Sequence, residues 1–190
     1  MVIAAWEWGS YLGEEGLEKG IKCKISSWIR VDSRITPPLA KSTANYLNSA
    51  LAKTEALQCG YDEAILLNMN GTIAEGPGEN IFLIKNKHLY TPDISDNALS
   101  GITAQSAIQI AQDLGIPISS KRLIRDELFL ADELFFTGTA AEITPIRDID
   151  GRLIGSGKRG PITARIQDTF FNAVKGQETR YNHWLTHCHS

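Results

Sequence analysis

The alternation of apolar and polar residues along the chain predicts most of its elements. In "GIKCKISSWIR", Ile21, Cys23 and Ile25 alternate with Lys22 and Lys24, the period-two pattern of a half-buried strand. Ahead of it, the apolar stretch "VIAAWEW" at 2–8 reads as a buried strand. After Pro37-Pro38 the period becomes helical: Ala44, Leu47, Ala50, Leu51 and Thr54 share one stripe, and the helix should end near Gly60. "EAILLNM" and "TIAEG" flank Asn70-Gly71, a strong hairpin signal, and "NIFLIKN" and "HLYT" form a second pair around Asn86-Lys87. From Thr103, Ala104, Ala107, Ile108, Ala111 and Leu114 fall on one helical face that Gly115 closes. "PISSKRLI" reads as a strand, "RDELFLADE" as a short helix and "ELFFTG" as a buried strand. "ITPIRDID" turns back on "RLIG" across Asp150-Gly151, and Pro161 opens a last helix carrying Ile162, Ile166, Thr169 and Phe170. Strands and helices alternate without repeats or a low-complexity linker, which predicts one mixed α/β domain.

Composition narrows the class. A length of 190 residues suits one large domain, and 43% hydrophobic with 22% charged residues is ordinary for a globular chain. A net charge of −3 with dispersed basic residues argues against nucleic acid or an anionic membrane as the main partner. No apolar run approaches the roughly 20 residues of a membrane span, and "MVIAAWEWGS" has no basic n-region of a signal peptide. Cys23, Cys59 and Cys188 are odd in number and widely spaced, which fits reduced thiols and a cytoplasmic protein better than a disulfide or zinc framework.

Several motifs fail on inspection. "GSGKRG" at 155–160 lacks the glycine six residues before Lys158, and Arg159 stands where a phosphate loop needs Ser or Thr, so a glycine-rich turn is expected. "EGPGEN" lacks the third glycine of a dinucleotide fingerprint and no helix follows it. His183, His187, Cys188 and His189 cluster in the tail, where a frayed terminus outweighs metal binding.

Three features survive. Lys41 sits in "TPPLAKSTANYLNS" without an acidic neighbour from Thr36 to Ser49. Taken alone it reads as a residue that caps or solvates a helix start, but a poorly solvated lysine also loses affinity for its proton and becomes a nucleophile. Glu75 follows the first hairpin, and "SGIT" (100–103) and "TGTAAE" (137–142) are glycine-containing loops. Each has a dull explanation: a turn carboxylate, or a helix start capped by Thr103. Together they suit pyridoxal phosphate. A lysine amine forms a Schiff base with an aldehyde, a carboxylate keeps a pyridine nitrogen protonated, and helix N-terminal N–H groups bind phosphate.

The run "KSTANYLNSALAKTEALQCGYDEAILLNMNGTIAEGPGENIFLIKN", followed by "LSGITAQSAI" and "FFTGTAAEITPIRDIDG", closely resembles the branched-chain amino acid aminotransferases, fold type IV pyridoxal-phosphate enzymes, from Val2 to about Gly176. The resemblance implies a large domain at 1–176, a mixed sheet or pseudo-barrel flanked by helices, and a tail at 177–190. It implies that Lys41 forms the Schiff base with pyridoxal 5′-phosphate and shuttles the proton between the substrate α-carbon and the cofactor's C4′. Tyr46 would bond the phenolic oxygen, Glu75 the pyridine nitrogen, and Leu99 would pack on the ring. Ile102, Thr103 and Thr139 would hold the phosphate, and the backbone of Ala140 and Ala141 would lie near the substrate carboxylate. Leucine, isoleucine or valine with 2-oxoglutarate is the implied substrate set. No metal is implied.

Family members carry a smaller N-terminal domain ahead of this region, which supplies further groups for phosphate and substrate, and their sites lie between domains and across a dimer interface. The expectation is therefore the cofactor half of a site, in a weakly active homo-oligomer with apolar surface exposed. Two alternatives stay open: a D-amino acid aminotransferase or aminodeoxychorismate lyase of the same fold, and a non-catalytic folded fragment that binds cofactor weakly or serves in assembly.

Overall fold

The computed structural model describes residues 3–5 and 9–186. Its frame is one mixed sheet of β1 (Ile21–Ile25), β2 (Glu63–Leu67), β3 (Ile73–Glu75), β4 (Asn80–Lys85), β5 (His88–Thr91), β6 (Ile118–Ser120), β7 (Glu133–Gly138), β8 (Glu142–Ile149) and β9 (Arg152–Leu153). The strands run in the order β3-β2-β1-β8-β7-β4-β5-β6, and β9 pairs with β8. β1 is parallel to both β2 and β8, and β5 is parallel to β6; the other pairings are antiparallel. The helices are α1 (Glu14–Lys19), α2 (Tyr46–Gln58), α3 (Ile102–Asp113), α4 (Arg125–Leu130) and α5 (Pro161–Val174). The mixed α/β architecture agrees with the expectation.

Both faces of the central strands are buried, because period-two side chains feed two cores. On β4, Ile81 and Leu83 enter one core while Phe82 and Ile84 enter the other. The first core gathers Ile21, Ile65, Ile73 and Ile146. In the second, α3 and α5 cover the sheet with Ala107, Ile110, Ile166 and Phe170. Phe82 stacks on Phe135 across β4 and β7, with ring centroids 5.0 Å apart. Both predicted hairpins form. Asn86 and Lys87 adopt φ 51° and 62°, a tight two-residue connection.

Some expectations change. Ile3–Ala5 form no strand and Ile3 is 83% exposed, while Val2 and residues 6–8 lie outside the described residues. The α2 helix buries the opposite face from the one predicted. Asn45, Ser49, Ala52 and Ala56 point inward, and Leu47 and Leu51 point to solvent. Small side chains let α2 lie close against Ala64 and Leu66 of β2, so steric fit overrides the leucine stripe. Only Ile118–Ser120 of "PISSKRLI" pair as a strand, although Leu123 is still buried. The α1 helix has no apolar period and was invisible to the pattern; Gly13 and Gly20 bound it.

"GSGKRG" is a turn, as expected, and leads into α5. There the buried Glu133 accepts N–H bonds from Ile162 (3.1 Å) and Thr163 (2.7 Å), so the protein's own carboxylate occupies that helix N-terminus. A Cβ on Gly160 would collide with this carboxyl group. Residues Thr179–Trp184 form a short 3-10 helix docked on α3: Tyr181 is buried, donates to Asp113 at 2.9 Å and stacks on Trp184. His187, Cys188 and His189 lie outside the described residues. No helix among the described residues is long and apolar enough to cross a membrane.

Candidate active site

Lys41 lies on the loop between β1 and α2, and Asn45 gives that loop its shape. Its buried carboxamide donates to the carbonyls of Pro37 (2.9 Å) and Ala40 (3.0 Å) and accepts from the Thr36 hydroxyl (2.8 Å). Three bonds from one side chain pin the backbone on the approach to Lys41 and at the start of α2. Lys41 and Tyr46 are thereby set on the same rim, with the Lys41 Nζ 6.0 Å from the Tyr46 ring centroid. Lys41 is exposed, a difference from the poorly solvated setting suggested by its sequence neighbours. Lacking a charged sequence neighbour is a property of the loop, whereas solvation depends on what covers it.

At the base of the same cleft is Glu75, at the end of β3. Its carboxylate meets the Arg30 guanidinium at 2.6 Å and accepts the Leu99 N–H at 2.8 Å. Burial pushes its pKa up to about 7, against the pull of Arg30, the Leu99 N–H and Lys41. Glu79, on the "EGPGEN" turn, is also buried and accepts the Gly78 N–H at 3.0 Å. Burial first, and then the nearby charge of Glu63, raise it to about 8. Lys41, Tyr46, Glu75 and Leu99 line one cleft together with Arg30 and Glu79.

Ile102, Thr103 and Thr139 line a neighbouring cleft. Residues 99–102 connect the two, and Asn80 secures that connection by donating to the Leu99 carbonyl at 2.6 Å. Gly101 is the N-cap of α3, with no side-chain cap and no acidic residue in the first turn. No side chain caps its N-terminal N–H groups, in contrast to those of α5, although Glu142 lines the same cleft. Ala140 and Ala141 follow Thr139 on the β7–β8 turn; Ala140 is exposed and Ala141 buried. They line neither cleft.

Sequence reasoning missed Arg30, Asn45, Glu79 and Asn80. A lone arginine after a strand and an asparagine before a helix carry no distinguishing pattern. Only the hairpin and loop signals around them could have directed attention there.

A mixed sheet of this order flanked by helices is the fold of a fold type IV aminotransferase domain, and here it sets a lysine and a buried carboxylate on one cleft and an uncapped helix N-terminus on the next. Residues 1–149 match the model of the amino-transferase class IV family, and the chain belongs to that family. It is similar to the branched-chain-amino-acid aminotransferase of Pseudomonas aeruginosa, with 48% identity over 98% of this chain and 60% of that protein. The crystal structure of the Escherichia coli branched-chain amino acid aminotransferase superposes with a TM-score of 0.94 at 47% identity, over 97% of this chain and 60% of that one. The Thermobaculum terrenum enzyme, solved in its pyridoxal-phosphate form, gives 0.88 at 41% identity, over 94% of this chain and 57% of that one. The chain thus spans about 60% of the length of its relatives.

Proposed function

We propose that the chain carries the pyridoxal 5′-phosphate site of an aminotransferase acting on leucine, isoleucine or valine, with 2-oxoglutarate as the amino acceptor. The observation that carries this reading is the convergence of Lys41, Tyr46, Glu75 and Leu99 on one cleft. The donor set fits the cofactor: an amine, a phenol and a carboxylate surround the cleft, and the uncapped α3 N-terminus opens beside Thr139. The 47–48% identity to branched-chain aminotransferases supports this substrate class.

When bound, the cofactor supplies an electron sink for the charge left on a substrate's α-carbon. The chain's residues do the rest. The Glu75 carboxylate would accept the pyridine N–H and keep it protonated, which would strengthen that sink. Tyr46 would donate its hydroxyl to the phenolic oxygen, and Leu99 would pack on the ring. The N–H groups of Ile102 and Thr103 and the hydroxyl of Thr139 would hold the phosphate, where the α3 dipole favours an anion. Lys41 would hold the cofactor through Nζ and, as a free amine, would move the proton between the substrate's α-carbon and C4′. The backbone of Ala140 and Ala141 would orient the substrate carboxylate.

Lys41, Thr139 and Ala140 are exposed, so residues 1–190 by themselves turn over slowly, while the Lys41 linkage keeps the cofactor on the chain. The test is a visible spectrum of the chain after addition of pyridoxal phosphate and desalting, beside the Lys41→Ala variant. A retained yellow band in the parent and none in the variant is expected. No band in the parent, or equal bands in both, would overturn the reading.

A further inference from the structure

Arg30 belongs to no motif, yet it is the closest charged partner of the carboxylate at the base of the cleft. It sits on the segment after β1, anchored where its backbone N–H donates to the Leu67 carbonyl of β2 at 2.8 Å. The Arg30 and Glu75 side chains are each 6% exposed, and Nη2 lies 2.6 Å from Oε1. The other oxygen, Oε2, accepts the Leu99 N–H. Each carboxylate oxygen is therefore held by one donor from a different segment, and each retains a lone pair. Arg30 Nε is buried without a partner, so the guanidinium is incompletely satisfied by its surroundings.

A carboxyl group buried to this degree, left alone, stays neutral. A neutral carboxyl can donate a proton to a pyridine nitrogen's lone pair but stabilises its protonated form poorly. Four groups act on Glu75: Arg30 from the β1–α2 segment, Lys41 from the cleft rim, the Leu99 N–H from the loop before α3, and Glu79 from the β3–β4 turn. The first three favour the anion and Glu79 opposes it. Of the favourable three, Lys41 is the one the proposed chemistry engages, which leaves its charge unavailable to Glu75 during turnover. Arg30 is not engaged, and a guanidinium keeps its charge at any pH an enzyme meets.

Building on the cofactor reading above, we propose that Arg30 is a positioning residue that orients the Glu75 carboxyl group and favours its anion, ready to accept the pyridine N–H. The link exists in the chain before any cofactor arrives, so it can be tested without one. The experiment is a carbon-13 NMR titration of the full chain, labelled at the glutamate side-chain carboxyls. The Glu75 resonance is assigned by its loss in Glu75→Gln. Arg30→Met should raise the Glu75 midpoint by about one pH unit or more. Arg30→Gln is less disruptive because it keeps a polar contact without charge, and it should give the same rise if the methionine variant fails to fold. An unchanged midpoint in a folded variant would overturn the proposal. With pyridoxal phosphate added, a parent chain that retains no yellow band while the Arg30 shift persists would refute only the cofactor reading, and the Arg30–Glu75 coupling would stand.

Discussion

Glu79 shows how much chemistry a single buried residue can carry without being visible in the sequence. Glu75 and Glu79 both bind a proton more tightly in the folded chain than at the ordinary value of 4.5, rising to about 7 and about 8. For carboxyls raised by folding, the native state holds more protons than the unfolded one between those values, so stability falls as pH rises. The expected loss spans pH 4.5 to about 8 and levels off above it. Glu79→Gln removes one of these titrations. Its urea midpoint should therefore fall less steeply across that window than the parent's; an equal slope would mean that Glu79 titrates normally. At this same scale, Lys41 was legible as a candidate because it has no acidic neighbour from Thr36 to Ser49, and Glu75 because it follows a hairpin within a run that resembles the family. Arg30 and Asn45 were not, since their roles come from partners 45 and 5 to 9 residues away.

Helix termini and faces decide the behaviour of the elements. The α5 N-terminus depends on a carboxylate from β7, not on a capping residue next to it in sequence. Glu133→Ala would strip the partners from the Ile162 and Thr163 N–H groups and leave a buried helix end unsatisfied. A loss of about 2 kcal/mol is expected, seen as a lower urea midpoint with an unchanged slope. The α3 N-terminus has no such side-chain cap, which leaves its N–H groups open to the phosphate proposed above. Helical periodicity announced both helices. It did not distinguish their termini, because Glu133 lies 28 residues before the helix it caps.

At the scale of the whole molecule, the stretch 28–51, which supplies Arg30, Lys41 and Tyr46 to the cleft, also carries exposed apolar side chains. Trp28, Ile29, Ile35, Leu39, Leu47 and Leu51 are all exposed, between 38% and 73%. Exposed apolar groups on this scale favour association, and we propose on that ground that the chain forms the homo-oligomer expected from its sequence. The doubly substituted Leu47→Lys, Leu51→Lys chain should sediment as a smaller species than the parent at equal concentration, with its far-UV spectrum unchanged. Identical sedimentation would exclude this face as the contact. Neither position supports the core, so a folding defect is not expected.

The sequence by itself determined the elements whose signals are local. Period-two alternation located β1, contiguous apolar runs located β4 and β7, and Asn70-Gly71, Asn86-Lys87 and Asp150-Gly151 located three tight turns. The contiguous family motifs also carried Lys41, Tyr46, Glu75 and the two glycine-containing loops. Tertiary structure alone decided which face of α2 is buried, since small residues there fit the sheet more closely than leucines could. It alone joined Arg30 to Glu75, Glu133 to α5 and Asn80 to the Leu99 loop. Periodicity records what one segment must hide from water, whereas a salt bridge or a cap depends on which distant segment packs beside it, and that is set by the sheet's strand order.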